Sequence, residues 1–447
     1  MYKLHQNSVT GCKIKLMTLD GQPEPKRPLL SPVMRLFLVT MILANVAGAM
    51  YGGFLPLYLK SLGADIAQIG VFFTITQIIP LALQILGGWI SDSLGRLKSI
   101  AAGSVSGVVS YIALILAPTW AWVFLGEGLG AITRSLVGPS FGAFIAEESK
   151  EESRAKVYGL VDTFYTIVAI VGPPFGGFLV DRYGFKVMLM VAASIYTAAT
   201  VMRVRMASRA RHHGQEDGKK ARLELGALKV NLSAIFGLLV AGGVMTWIII
   251  TDGVRDISFS LSGNLIPVYL EDIAKLNAQK IGWLSSIMGI AMMVTSFPAG
   301  HLADKRGERL AIALGFALQS VAFFIFIKAE TFITYAVSYF LIGVGSSLMS
   351  PAYQSLLSKV LPQKLRGTGF GLVHSGLGLF SLPAPAIGAK LYENISPTTP
   401  LWITAIASVL SIIPAIFKFK LTDKDRQQID KAEAKILDAE EKNKPGQ

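Results

Sequence analysis

The chain has 447 residues, of which 52% are hydrophobic and 16% charged, with a mean hydropathy of +0.51. A soluble globular protein carries roughly 25% charged residues, so this composition excludes an ordinary soluble domain, and a single cysteine, Cys12, excludes a disulfide framework and a Cys-rich zinc site. The net charge of +13 would suit nucleic acid, but its placement along the chain is a membrane-topology signal instead.

Residues 1–32 are polar and lack the short apolar core and small-residue cleavage site of a signal peptide, so they are expected to form a cytoplasmic tail, with Met17 as an alternative start. Beyond them the apolar residues gather into blocks long enough to cross a bilayer, for which about 20 residues are needed. Twelve spans are expected, at about 33–59, 66–90, 97–117, 119–146, 157–180, 185–206, 244–270, 281–303, 310–328, 332–358, 367–390 and 401–418. The fold class is therefore an all-α polytopic membrane protein with twelve transmembrane helices in two pseudo-symmetric six-helix halves, 33–206 and 244–418. Between them lies a cytoplasmic linker, 207–243, whose apolar end (231–243) suits an interfacial helix or an extension of span 7. Residues 419–447 form a charged cytoplasmic tail.

In the linker, His212 and His213 read as solvated side chains rather than a metal site. The segment GQEDGKK at 214–220 is one residue short of a phosphate-binding loop and has no Ser or Thr after its lysines. With the N-terminus inside, all but nine of the 42 Lys and Arg fall on the side of the termini and the linker. Seven lie opposite (Lys60, Arg182, Lys186, Lys275, Lys280, Lys328 and Lys390) and two, Arg134 and Arg255, lie within spans. This skew places both termini in the cytoplasm.

The two halves repeat each other. Leu55-Pro56-Leu57-Tyr58-Leu59 at the end of span 1 matches Ile266-Pro267-Val268-Tyr269-Leu270 at the end of span 7, an offset of 211. One residue inserted in the next loop makes the offset 212, which holds for Gly70/Gly282, Gly88/Gly300, Asp92/Asp304, Gly95/Gly307, Pro139/Pro351, Arg154/Arg366, Gly159/Gly371, Pro173/Pro385 and Gly176/Gly388. Two like-oriented six-span halves are a transporter architecture, with the site between them and rocking of one half against the other.

Between spans 2 and 3 stands Gly88-Trp-Ile-Ser-Asp92-Ser-Leu-Gly95-Arg96-Leu-Lys98, and between spans 8 and 9 stands Gly300-His-Leu-Ala-Asp304-Lys-Arg-Gly307-Glu-Arg309. Both resemble the signature loop of the major facilitator superfamily, G-x-x-x-D-x-x-G-R-x-[KR]. The resemblance implies that Asp92 faces the start of span 11 near Gly367, and Asp304 the start of span 5 near Val157. Each carboxylate would there meet a positive helix-dipole end and hold one gate state. Span 5 carries Gly172-Pro173-Pro174-Phe175-Gly176-Gly177, which resembles the superfamily's antiporter motif and equally fits a generic kinked packing helix. Span 4 departs from the family: exporters commonly carry an arginine in its outer half, where this chain has Glu127, and Arg134 lies two turns deeper on nearly the same face.

Ionisable groups inside spans are costly and face a cavity or one another. Glu127, Arg134, Asp252, Arg255 and Asp256 are therefore the candidates for the solute and proton pathway, against the alternative of a static ion-pair cluster. Asp256 corresponds in the repeat to Asn45. In the superfamily spans 1, 4, 7 and 10 line the central cavity, which places these residues there by resemblance. Asp162 and His374, repeat partners at the starts of spans 5 and 11, fit gate electrostatics. Tyr51, Phe54, Trp247, Tyr335 and Tyr339 are pocket or packing aromatics.

The expected function is alternating-access transport of a small organic solute, proton-coupled, with efflux by antiport as the first reading. Uptake by symport of a sugar or organic anion, with Arg134 as the anion's partner, is the second. A receptor or scaffold is the reading of another class, and paired gate loops speak against it. No nucleophile–base set points to an enzyme. No cofactor is expected, the energy coming from an ion or proton gradient. The expected partners are the lipid bilayer, the solute and protons, with no nucleic acid. The protein is expected as a monomer in the plasma membrane.

Overall fold

The computed structural model describes residues 30–149, 151–210, 243–361, 373, 378–427 and 429–431. The described residues form helices joined by short turns, with no strand among them. Local sequence explains where the helices start. The Ser31 hydroxyl accepts from Met34 N–H at 3.1 Å to cap Pro32–Gly52, and Asn277 does the same for Lys280 N–H at 3.1 Å at the head of Ala278–Arg306. Thr331 and Thr334 form a reciprocal capping box before Phe332–Val360. Spans 2 and 3 meet at Gly95 (φ 86°) and spans 8 and 9 at Gly307 (φ 90°). This left-handed backbone explains why the signature loop needs glycine at both places.

Among the described residues nine helices are long and apolar enough to cross a membrane. Spans 2, 7 and 11 are the other three. Ile66–Leu94 is nonetheless one continuous helix. Span 7 contains Asp252, Arg255 and Asp256, and span 11 is described mainly as Ala384–Asn394. Spans 1 and 7, expected to run unbroken, are each in two pieces: Pro32–Gly52 with Leu55–Ser61, and Val244–Ser262 with Ile266–Asp272. The breaks fall at matching places in the repeat, before Pro56 and Pro267, because proline starts a helix well and interrupts one badly. The linker from 211 to 242, the Cys12 tail and the start of span 11 with Gly367 and His374 lie outside the described residues.

Residues 30 and 418 mark one end of the bundle, here the terminal end; the opposite end is the far end. Between described residues, the polar contacts joining the first six spans to the last six gather at the far end. There span 2 packs on span 11 and span 5 on span 8. The approach is backbone-close. A Cβ on Gly70 would lie 2.7 Å from Pro385 O, and one on its repeat mate Gly282 would lie 2.5 Å from Pro173 O. The far end is thus closed. At the terminal end Asp162 and Asp304 are both exposed.

After span 12 the chain turns back under the second six spans. Phe419 is buried against Tyr353, ring centroids 5.8 Å apart. Asp425 caps span 7 by accepting Val244 N–H at 2.9 Å, and it also accepts Thr422 N–H and Oγ1 at 2.8 and 2.6 Å. Burial pushes the Asp425 carboxyl up, but the Thr422 and Val244 donors outweigh it and hold the group below the usual aspartate value.

Candidate functional site

Spans 7, 9 and 10 line an open cavity of about 300 Å³, with Asp252, Arg255 and Asp256 of span 7, Gln319 of span 9, and Ser346 and Tyr353 of span 10 among its walls. Helical spacing brings the charges together, since residues three and four apart share a face. Arg255 Nη2 lies 2.6 Å from Asp252 Oδ1, and the guanidinium also sits over the Tyr353 ring, 5.4 Å from its centroid. Asp252 is largely buried and Arg255 partly so. Asp256, one turn on, also lines the cavity and makes no hydrogen bond or ion pair with a described residue. The Tyr353 hydroxyl is buried with no hydrogen-bond partner among the described residues. Gln319 donates to Ser346 Oγ at 3.4 Å. The cavity thus holds one internally neutralised pair, one further carboxylate and several uncharged polar groups.

Glu127 and Arg134 also meet. Arg134 Nη2 lies 3.3 Å from Glu127 Oε2, and Tyr51 of span 1 donates to Glu127 Oε1. The Glu127 side chain is 10% exposed and that of Arg134 55%. The pair therefore presents a buried anion and an accessible cation. Arg134 is the repeat counterpart of Ser346 on the cavity wall, so the two sets of spans offer different chemistry at the same level.

This geometry — paired six-span sets closed at one end, a polar cavity at mid-helix and glycine-turned loops — can be set beside known proteins. The sequence profile of the Major Facilitator Superfamily matches residues 37–254 and again 248–444. The chain belongs to the major facilitator superfamily. A multi-drug resistance efflux pump PmrA homolog of Lactococcus lactis is 22% identical over 380 residues, covering 82% of this chain and 90% of its own. The multidrug resistance protein MdtG of a Rahnella species is 23% identical over 408 residues, 87% of this chain and 94% of its own. Among solved structures, a bacterial homologue of the iron transporter ferroportin in an inward-facing state superposes with a TM-score of 0.71 at 14% identity, covering 87% of this chain and 99% of that one. The peptide transporter POT gives 0.67 at 15%, covering 89% and 95%. At such identities the structural likeness is one of fold. Family and fold make this chain a multi-pass membrane transporter.

The superfamily loops behave unequally. Asp304 is exposed and makes no hydrogen bond or ion pair with a described residue at the start of span 5, where Val157 is buried among other side chains. Gly88 and Asp92 lie within the helix Ile66–Leu94, and the surroundings of the Asp92 side chain fall outside the described residues. Lys98, Gly300 and Arg309 sit at the same terminal end; Lys98 and Arg309 are exposed, and a Cβ on Gly300 would meet open space. Arg96 Nε pairs with Glu147 at 3.1 Å within the first six spans. Its repeat counterpart is Glu308, which pairs with Lys359, the counterpart of Glu147. The same brace is built twice with the charges exchanged, which residue-by-residue motif matching could not find.

The span 5 motif lies in the far-end contact. A Cβ on Gly172 would lie 2.5 Å from Ala49 Cβ, on Gly176 2.0 Å from Met50 O, and on Gly177 2.4 Å from Ala278 O. Two of these small residues admit span 1 and the third admits span 8. Pro173 presents its carbonyl to Gly282. Sequence reasoning did not single out Tyr353, Gln319, Lys60, Asp181, Glu271, Asp272 or Glu393. For the far-end carboxylates a signal was present: Asp181 and Glu393 stand 212 residues apart, the repeat offset.

Proposed function

We propose that this transporter exports a small amphipathic organic solute in exchange for protons, and that Asp256 is the group that carries the proton. The observation that carries the reading is the cavity itself, where Arg255 is held by Asp252 at 2.6 Å and Asp256 is left without a described partner. Two close carboxylates do not both ionise cheaply. With Arg255 engaged by Asp252 and Arg134 by Glu127, Asp256 is the carboxylate left to exchange a proton for a positively charged or donor-rich solute. Phe259, Met349 and Tyr353 supply apolar surface to such a ligand. The relatives named for multidrug efflux support the outward direction, as does the glycine–proline motif of span 5. The Lys and Arg skew supports a plasma-membrane orientation with both termini in the cytoplasm, in which the far-end-closed form opens inward. No cofactor takes part in this scheme, and a monomer suffices for it.

A second reading rests on Arg134. Its side chain is 55% exposed, and an accessible cation at that level suits an organic anion brought in with protons. The two are separated with the full chain in proteoliposomes with an acidic lumen. A permanently charged quaternary ammonium probe, which cannot follow the gradient by deprotonating, is expected to accumulate in the lumen and to leave when an ionophore collapses the gradient. Gradient-driven movement of carboxylate probes with no movement of the cation would overturn export in favour of symport. Absence of any solute movement across a broad panel would favour the receptor or scaffold.

A further inference from the structure

At the far end, two carboxylates each reach across the boundary between the sets of spans to the head of a helix in the other set. Asp181, at the end of span 5, accepts Ala278 N–H at 3.0 Å and Gln279 N–H at 2.9 Å, the first amides of span 8. Glu393, at the end of span 11, accepts Ala67 N–H at 3.2 Å in the first turn of span 2. The offset of 212 relates Asp181 to Glu393 and Ala67 to Gln279, so this is one contact made twice. Further contacts share the symmetry. Thr74 Oγ1 accepts Ala386 N–H at 3.2 Å, while its repeat mate Ser286 donates to Ile170 O. On the pseudo-symmetry axis Lys60 meets Glu271, its own repeat counterpart, at 2.7 Å, and Asp272 beside it.

The first amides of a helix have no partner within it, and the dipole there is positive, so a carboxylate is the group that suits them. We propose that Asp181 and Glu393 form a paired latch that holds the far end closed, and that its release is required to open the site on that side. Each carboxylate belongs to one set of spans and each amide group to the other, so the contacts break when the far end opens. They stabilise one state and not the other, which is what a group must do to bias a conformational equilibrium. Both carboxylates are exposed and in reach of salt, so the latch also weakens with ionic strength. The latch is independent of which solute is moved and of where the proton goes.

The test uses the full chain in lipid nanodiscs on a Cys12→Ser background. Spin labels are placed at Thr119→Cys and Glu330→Cys, exposed far-end sites in the two sets of spans. Double electron–electron resonance reads the distance between them. Asp181→Asn with Glu393→Gln is expected to raise the ratio of long to short distances by about threefold to thirtyfold, from two charge–dipole contacts of ordinary size. Each single substitution gives a smaller shift, and Asp181→Glu, which keeps the charge, restores most of the short population. An unchanged distribution in a double variant that elutes and melts as a folded protein overturns the latch. If the double variant does not fold, the singles decide. A lowered melting temperature with no change in distances would make these residues structural only.

Discussion

At the scale of single residues, the membrane made the candidates visible. A charge inside an apolar span stands out because its burial is expensive, and Glu127, Arg134, Asp252, Arg255 and Asp256 were legible on that ground. Their grouping was partly legible too, since a spacing of three or seven residues puts side chains on one helical face. The pairings with other helices were not. Tyr51 was in view only as a pocket or packing aromatic and not as the donor to Glu127, and Tyr353 under Arg255 is a neutral residue of a kind common in any helix that nothing in its own spacing marks. The competing reading of the cluster as a static ion pair is open to a double-mutant cycle. Arg255→Met alone leaves Asp252 buried without its cation and should lower the melting temperature. Asp252→Asn with Arg255→Met should recover much of the loss, a coupling of about 0.5–3 kcal/mol. Additive losses would mean that the 2.6 Å contact contributes little to stability.

Among elements, the glycines carry the repeat. Gly176 and Gly388 are repeat partners, and a Cβ on either would strike the backbone of the broken helix it packs on, Met50 O at 2.0 Å and Leu261 O at 1.9 Å. Met50 and Leu261 are themselves related by the offset of 211 that governs the ends of spans 1 and 7. The ladder of matched glycines and prolines was therefore readable as architecture, while what each glycine touches was not. Gly176→Ala and Gly388→Ala should each cost about 1–3 kcal/mol through overpacking against rigid backbone. Gly142→Ala, which meets nothing within 4 Å in the last turns of span 4, should be neutral or gain up to about 1 kcal/mol from helix propensity. Thermal unfolding in detergent checks both, and equal effects at the three sites would refute the packing argument. The breaks in spans 1 and 7 were missed although Pro56 and Pro267 were in view. Apolar residues continue through both, and hydropathy does not register a change of helix axis.

At the level of the whole molecule, the twofold repeat, the helical class and the superfamily were readable from the chain, and the conformational state was not. Which end is closed depends on small differences between two packings of the same surfaces, and the contacts that decide it lie between residues hundreds of positions apart. The proposed far-end latch is one such set, and the superfamily resemblance implies the terminal-end loops as another. In this state Asp181 is engaged and Asp304 is exposed. The account of transport rests on a mid-helix carboxylate that exchanges a proton for a solute. The most direct test is Asp256→Asn in proteoliposomes, reading gradient-driven accumulation and solute exchange in the same preparation. The account predicts that accumulation under an imposed pH difference is lost while exchange of labelled for unlabelled solute persists. Accumulation at the wild-type level would contradict it and make Asp256 a structural residue, with Glu127 the next carboxylate to examine.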